Sequence, residues 1–308
     1  MADVANGFWG KATSNVDWCE NNYVHSYYVA EWFNTLSSVP VALFALHGLL
    51  HCWRSGFEAR QLLVHSCFIL VGLGSCCFHG TLTWQGQAAD ELPMILGSSV
   101  FLYTALHLRR DTPSMPILLF LLAFDVVATV VYFIGHFLVF FFLYSLLACP
   151  VMYLSVQHAR LPNVSQRTRV IGILSVALYL GGFIVFWLPE KYACGNRLED
   201  HYPTIFQSLQ FHALFHTTSA FGTYLWSVFI CLARMEWMAE NRRGAFETRY
   251  AHLVPTAADA QTASTAERLS WWPTTIGLSG PCSVGLPLPV AVVLPKGGRQ
   301  RNQYFSIL

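Results

Sequence analysis

The sequence predicts an all-α membrane protein, a bundle of seven transmembrane helices with its amino terminus lumenal and its carboxyl terminus cytosolic. Three observations carry this. The chain is 54% hydrophobic and only 11% charged, and its mean hydropathy is +0.43, far from a soluble average. Apolar runs near twenty residues recur along it, the length that crosses roughly 30 Å of hydrocarbon. Lys and Arg fall mainly in alternate linkers, which sets the orientation.

The runs lie at about 33–53, 61–83, 91–108, 115–134, 137–157, 170–188 and 206–233. The fourth and fifth form one stretch too long for a single crossing, so Ile134 to His136 is read as a tight turn. The first residues are polar and aromatic, without the basic-then-apolar pattern of a signal peptide, and are expected to stay in the mature chain. Arg54, Arg60, Arg109, Arg110, Arg160, Arg167, Arg169, Arg234, Arg242, Arg243 and Arg249 fall on one side, against Lys11, Lys191 and Arg197 on the other. The net charge of +1 averages these two faces and says little about partners; nothing points to nucleic acid, and the oligomeric state is left open. The Asn163 sequon lies on the arginine side and is expected to carry no glycan. The resulting division is a lumenal segment 1–32, a seven-helix transmembrane domain 33–235 and a cytosolic tail 236–308, largely disordered from about 255. The proline-broken apolar run in that tail is too short for an eighth span.

Histidines can then be sorted by depth. His79 ends the second run, while His212 and His216 open the seventh, which returns from the same side. A spacing of four puts His212 and His216 on one helical face, and Ser75 and His79 on another. Three neutral imidazoles with an open fourth position suit a catalytic zinc, which lowers the pKa of a bound water. A single membrane histidine can equally hydrogen-bond a neighbour; three at one depth favour the metal. Asp90 lies near the same level, where an unpaired charge costs about 2.5–3.5 kcal/mol. It reads as a general base, as an orienting partner of a ligand histidine, or as the N-cap of the third span. Asp125 is assigned an interhelical hydrogen bond.

A second constellation precedes the first span. Asp17, Glu20 and Asn22 crowd into six residues and Glu31 follows at the membrane entry. Hard oxygens at this density, with a carbonyl such as that of Trp18, suit calcium, although clustered acids also form ordinary solvated turns. Cys19 and Cys194 both fall in lumenal segments, where oxidising conditions favour their pairing.

The blocks "GFWGKATSNVDWCENNYVHSYYVAEWFNT", "GSCCFHGTL", "DELPM" and "FHALFH", in this order and with these separations, resemble the alkaline ceramidases, seven-span amidases of the endoplasmic reticulum and Golgi. The resemblance covers about 7–245; the tail has no counterpart, and Cys76–Cys77 stands where an aromatic is usual. It implies zinc on His79, His212 and His216, catalytic assistance from Ser75 and Asp90, and calcium on Asp17, Trp18 (by its carbonyl), Glu20, Asn22 and Glu31. The implied reaction is hydrolysis of ceramide, entering from the bilayer, to a fatty acid and a sphingoid base. Two alternatives stand beside it: a seven-span zinc-containing lipid receptor of the adiponectin-receptor type, which the "DWCENN" block and the lumenal amino terminus disfavour, and a non-enzymatic membrane protein in which zinc is a structural staple.

Overall fold

A computed structural model of the chain describes residues 7–134, 137–194, 208–242, 290–294 and 303–307. Its helices are α1 (Trp32–Arg54), α2 (Ala59–Thr81), α3 (Trp84–Leu106), α4 (Met115–Ile134), α5 (Phe137–Ala159), α6 (Gln166–Gly182), α7 (Leu188–Cys194) and α8 (Phe211–Asn241). A π-helical stretch, Phe183–Trp187, joins α6 to α7 without a break. α4 ends at Ile134 and α5 begins at Phe137; the turn expected at Ile134–His136 falls on residues 135–136, which lie outside the described residues.

Helix starts follow from local chemistry. The first amides of α1 lack an intrahelical acceptor, and Glu20 supplies one from a distance. Its two carboxylate oxygens accept from Phe33 N (2.7 Å) and Asn34 N (2.9 Å). The third helix begins earlier than the hydropathy suggests, because the Thr83 side chain caps it by accepting from Gly86 N. Asp90 therefore sits inside α3, and the N-cap reading of Asp90 is corrected. At the other extreme, α8 runs past the expected end of its apolar stretch. Its Met235 and Met238 are buried with Cys52 and Phe57, and this packing carries the helix on to Asn241.

The helices close into a ring. α1 packs on α2 and α8, α2 on α3, α3 on α5, α5 on α6, and α6 on α8, while α4 lies against α3 and α5. Glycine makes two of these approaches possible. A Cβ at Gly72 would meet Ala42 N of α1 at 2.4 Å, and one at Gly74 would meet Ala89 O of α3 at 2.0 Å. Phe101, Trp226, Phe229 and Ile230 fill the middle of the bundle. Ser99 Oγ donates to Asp125 Oδ1 (2.6 Å), the interhelical bond expected of that acid.

Among the described residues, five helical segments are long and apolar enough to cross a membrane: Trp32–Arg54, Ala59–Thr81, Met115–Ile134, Val139–Ala159 and Gln166–Ala193. α3 and α8 are not among them. They carry polar groups instead: Gln85, Gln87, Asp90 and Glu91 on the one, His212, His216, Thr217 and Thr218 on the other. One end of the bundle gathers arginines. Arg60 donates to the His107 carbonyl (3.0 Å), Arg109 to Asn163 Oδ1 (2.8 Å) and Arg234 to both Glu58 (2.8 Å) and Asp111 (3.0 Å). The amino-terminal segment packs on the opposite end, where Ala30 N donates to Gly80 O (2.9 Å) and Thr13 N to Leu82 O (3.0 Å). Beyond α8, β1 (Val290–Leu294) pairs antiparallel with β2 (Gln303–Ile307), Val290 opposite Ile307; the rest of the chain after Arg242 lies outside the described residues.

Candidate metal centre and lipid cavity

α2 delivers His79 and α8 delivers His212 and His216 to one point at the end of the bundle opposite the arginines. Ring centroids are 5.0 Å apart for His79–His212, 4.9 Å for His79–His216 and 4.4 Å for His212–His216. Candidate ligand atoms of all three lie within 4.8 Å of one another, and all three residues are buried. This triad could hold a metal ion.

The hydrogen bonds leave the nitrogens that such an ion needs. His79 Nδ1 pairs with Glu31 Oε2, and His79 Nε2 is buried with no partner among the described residues. His216 Nδ1 meets Ser37 Oγ at 2.9 Å and Ser38 Oγ at 3.3 Å, which turns its Nε2 the other way. His212 Nδ1 is buried with no partner among the described residues, and the Trp18 indole stacks on its ring at 3.8 Å. Buried polar atoms are rarely left unpaired. Two orphaned imidazole nitrogens beside a third ring fit a cation, and the carboxylate and hydroxyls behind them are the outer partners that fix ligand tautomers.

Ser75 lies one turn before His79. Its hydroxyl is 2.8 Å from Ser38 Oγ, and Ser38 donates to the Asn34 carbonyl (2.7 Å), so Ser75 provides the proton between the two serines. Asp90 reaches this end because Gly74, adjacent to Ser75, lets the α3 backbone at Ala89–Asp90 press against α2. Ser75, Asp90, His212 and His216 line one cavity with Trp18. It continues down the bundle between Phe44, Phe68, Phe140, Tyr144 and Tyr179 to His65 and Ser227. From His212 to Ser227 it follows roughly 22 Å of α8 at 1.5 Å per residue, an apolar slot on the scale of a lipid chain.

The expected calcium residues are brought to the same end but are not equivalent. Asn22 Nδ2 donates to both oxygens of Asp17 (3.2 and 3.3 Å), while Asn22 Oδ1 is buried with no partner among the described residues. Glu20 is occupied with the first turn of α1. Glu31 is fully buried and spans the two constellations: Oε1 accepts from Trp18 N (3.1 Å), and Oε2 faces Asn34 Nδ2 (3.2 Å) and His79. Burial pushes its carboxyl up to about 8, Asp17's charge pushes the same way, and the bonds from Asn34 and Trp18 oppose this. Burial also raises Glu20, against the amides of Phe33 and Asn34. Crowded carboxylates held above their ordinary range and an orphaned amide oxygen are what a hard cation would relieve. Cys19 is disulfide-bonded, and its amide donates to Glu190 Oε1 of α7 (3.1 Å). Cys194 ends that helix; its side chain lies outside those described.

Sequence reasoning missed Ser37, Ser38, Gly74 and Glu190. The run "NTLSS" carried the only signal for the serines, since Asn34 and Ser38 share one face of α1.

A family profile described as Ceramidase matches residues 10–258. The chain is 33% identical over 245 residues to the alkaline ceramidase of Arabidopsis thaliana, covering 78% of this chain and 92% of that protein. It is 30% identical over 238 residues to alkaline ceramidase 3 of Mus musculus, covering 74% and 86% respectively. With the alkaline ceramidase of Caenorhabditis briggsae it shares 24% over 255 residues, 79% of this chain and 89% of the relative. A membrane bundle with a buried histidine triad at the head of an apolar cavity, matched over four-fifths of its length by one profile, belongs to the ceramidase family, and the enzyme is a hydrolase of the alkaline ceramidase kind.

Proposed function

We propose that the chain is a zinc-dependent, calcium-supported ceramide amidohydrolase that releases a free fatty acid and a sphingoid base. The observation that carries this is the pair of unpartnered nitrogens, His79 Nε2 and His212 Nδ1, converging with His216 at the head of a chain-sized apolar cavity. His79, His212 and His216 would hold the zinc, which when bound supplies Lewis acidity and a water acidic enough to ionise near neutral pH.

The remaining chemistry belongs to this chain's own residues. Asp90 would accept a proton from the attacking water and return it to the leaving nitrogen, so that an amine departs rather than an amide anion. Ser75 would turn its single proton from Ser38 to the carbonyl oxygen as negative charge develops there. Glu31 and Ser37 hold the rings of His79 and His216 by their Nδ1 atoms. The aromatic walls exclude bulk water and take the hydrocarbon. Asp17, Asn22, Glu20, Glu31 and the Trp18 carbonyl would take calcium, bracing the amino-terminal segment against α1. The disulfide partner of Cys19 is proposed to be Cys194, one turn beyond Glu190.

The reading extends to seven membrane crossings, with α3 and α8 as the polar two, the triad end lumenal, the arginine end cytosolic and Asn163 unglycosylated. Residence is in the endoplasmic reticulum or Golgi. Incubating purified protein with a panel of ceramides and quantifying sphingoid base by mass spectrometry tests the function. Protein that retains zinc and binds ceramide yet releases no base would overturn it in favour of a lipid receptor.

A further inference from the structure

The amino-terminal segment carries four large aromatic side chains that the site does not use. Phe8 is 55% exposed, Trp9 46%, Tyr27 59% and Tyr28 63%. They form one knob: the Phe8 ring lies 5.0 Å from Trp9, 6.4 Å from Tyr27 and 5.3 Å from Tyr28, and Tyr27 and Tyr28 are 5.3 Å apart. Two bonds clamp it, Phe8 N to Tyr27 O (2.8 Å) and Trp9 Nε1 to Tyr28 O (2.8 Å). The rings are therefore displayed by a fixed backbone. Contiguous exposed aromatics on a preorganised scaffold mark an interaction surface.

The structure points to the bilayer interface as the partner: we propose that this knob inserts into the headgroup region of the leaflet on the amino-terminal side. Its position is one argument. The knob's loop touches the start of α1, where the His25 ring meets Phe33 edge-on at 5.1 Å. The outward face of α1 then continues the apolar surface through Phe33, Leu36 and Leu43, which are 39%, 50% and 58% exposed. An apolar strip on a spanning helix faces lipid, and the knob stands at its upper edge. Chemistry is the other argument. Val24 to Tyr28 contains no Asp, Glu, Lys or Arg, and tyrosine and tryptophan, apolar bodies with polar tips, favour the headgroup level over water or the hydrocarbon centre.

The test uses full-length protein in phosphatidylcholine nanodiscs carrying a photoreactive diazirine lipid, with adducts mapped by peptide mass spectrometry. The diazirine sits either beside the headgroup or at the chain end. The headgroup-proximal probe should label Phe8, Trp9, Tyr27 and Tyr28, and the chain-end probe should spare them while labelling exposed Val126 and Val127 of α4. In the double variant Tyr27→Ser/Tyr28→Ser, whose backbone clamps remain, headgroup-proximal labelling at residues 8–9 should fall at least about five-fold with α4 labelling unchanged. Labelled α4 with an unlabelled knob under both probes would put the knob in water and overturn the proposal. So would an unlabelled knob that instead cross-links to a second copy of the chain. The wild-type result decides the question even if the variant fails to fold.

Discussion

Glu31 Oε2 lies against Nδ1 of His79 while Oε1 of the same carboxylate accepts from the amide of Trp18. One side chain thus ties the amino-terminal acidic segment to a ring of the histidine triad. The two constellations that read as separate in the sequence are a single hydrogen-bonded unit, and a change in one must be felt in the other.

That unit alters what Glu31 substitution should do. A calcium ligand alone would leave zinc untouched. Because Glu31 also fixes His79, Glu31→Gly should raise the calcium requirement and weaken zinc by about 10- to 100-fold, the usual loss when an outer partner of a ligand histidine is removed. Zinc affinity by competition with a chelator checks this. Unchanged zinc affinity would mean that the Glu31–His79 contact does not support the metal.

The raised carboxyl of Glu31 gives a pH dependence with a definite sign. Its folded-state pKa is about 8 against an ordinary 4.5, so the folded protein holds this proton more tightly than the unfolded chain. Stability from the protonated group is full below about 4.5 and is lost as pH climbs through about 8. Chelated protein should therefore melt at falling temperature across that window. Calcium affinity should rise over the same range, since the cation needs the ionised carboxylate. Calorimetry with and without calcium at several pH values would read both trends; a pH-independent calcium affinity would refute the account.

Gly74 should prove as sensitive as a site residue. Its Cβ would strike Ala89 O at 2.0 Å and Asp90 N at 2.7 Å, so Gly74→Val must push α3, and Asp90 with it, away from α2. A displacement near 1 Å costs about 10²-fold in rate when it misplaces a reacting group. Turnover should fall by that order with zinc content unchanged. Gly181→Ala, with nothing within 4 Å of its Cβ, is the control and should be silent.

The sequence was most legible where physics is local. Apolar length found the strongly hydrophobic helices, and the four-residue spacing of His212 and His216 foretold their shared face. It was least legible where the answer lies between distant segments. Glu31 and His79 are 48 residues apart, and no local pattern tells that an acid grouped with Asp17 and Glu20 will turn its oxygen to a histidine. The start of α3 was masked because Gln85, Gln87 and Asp90 depress hydropathy in its first turns, Gln87 being buried and Gln85 exposed; the Thr83 cap was the missed sign. Gly74 looked like one small residue among several until its neighbour across the interface was known.

Cys19 offers a covalent check. Its amide is held by Glu190, one turn before Cys194, so non-reduced peptide mapping should recover a Cys19–Cys194 cross-link. Cys19→Ser should cost about 2–5 kcal/mol of stability. Alkylation of both cysteines without reductant would exclude the pairing.

The final prediction separates metal binding from proton transfer. His79→Ala, His212→Ala or His216→Ala leaves two imidazoles, too few to hold zinc firmly or fix its open position, so zinc and hydrolysis should be lost together. Asp90→Asn keeps size and polarity but cannot accept a proton. Turnover should drop by roughly 10² to 10⁴ with zinc retained. Ser75→Ala removes the hydroxyl between Ser38 and the cavity. As a donor to the developing oxyanion it is worth on the order of 10² to 10³ in turnover, with ceramide binding little changed. Ser38→Ala discriminates further. It removes the acceptor that holds Ser75's proton, so if Ser75 acts on the substrate directly, freeing that proton should leave turnover within a few-fold of wild type. Should Ser75 instead act only through Ser38 and His216, the two serine variants would be equally impaired and the double variant no worse than either. Zinc content and released sphingoid base, measured on the six single variants and the double serine variant, distinguish these outcomes.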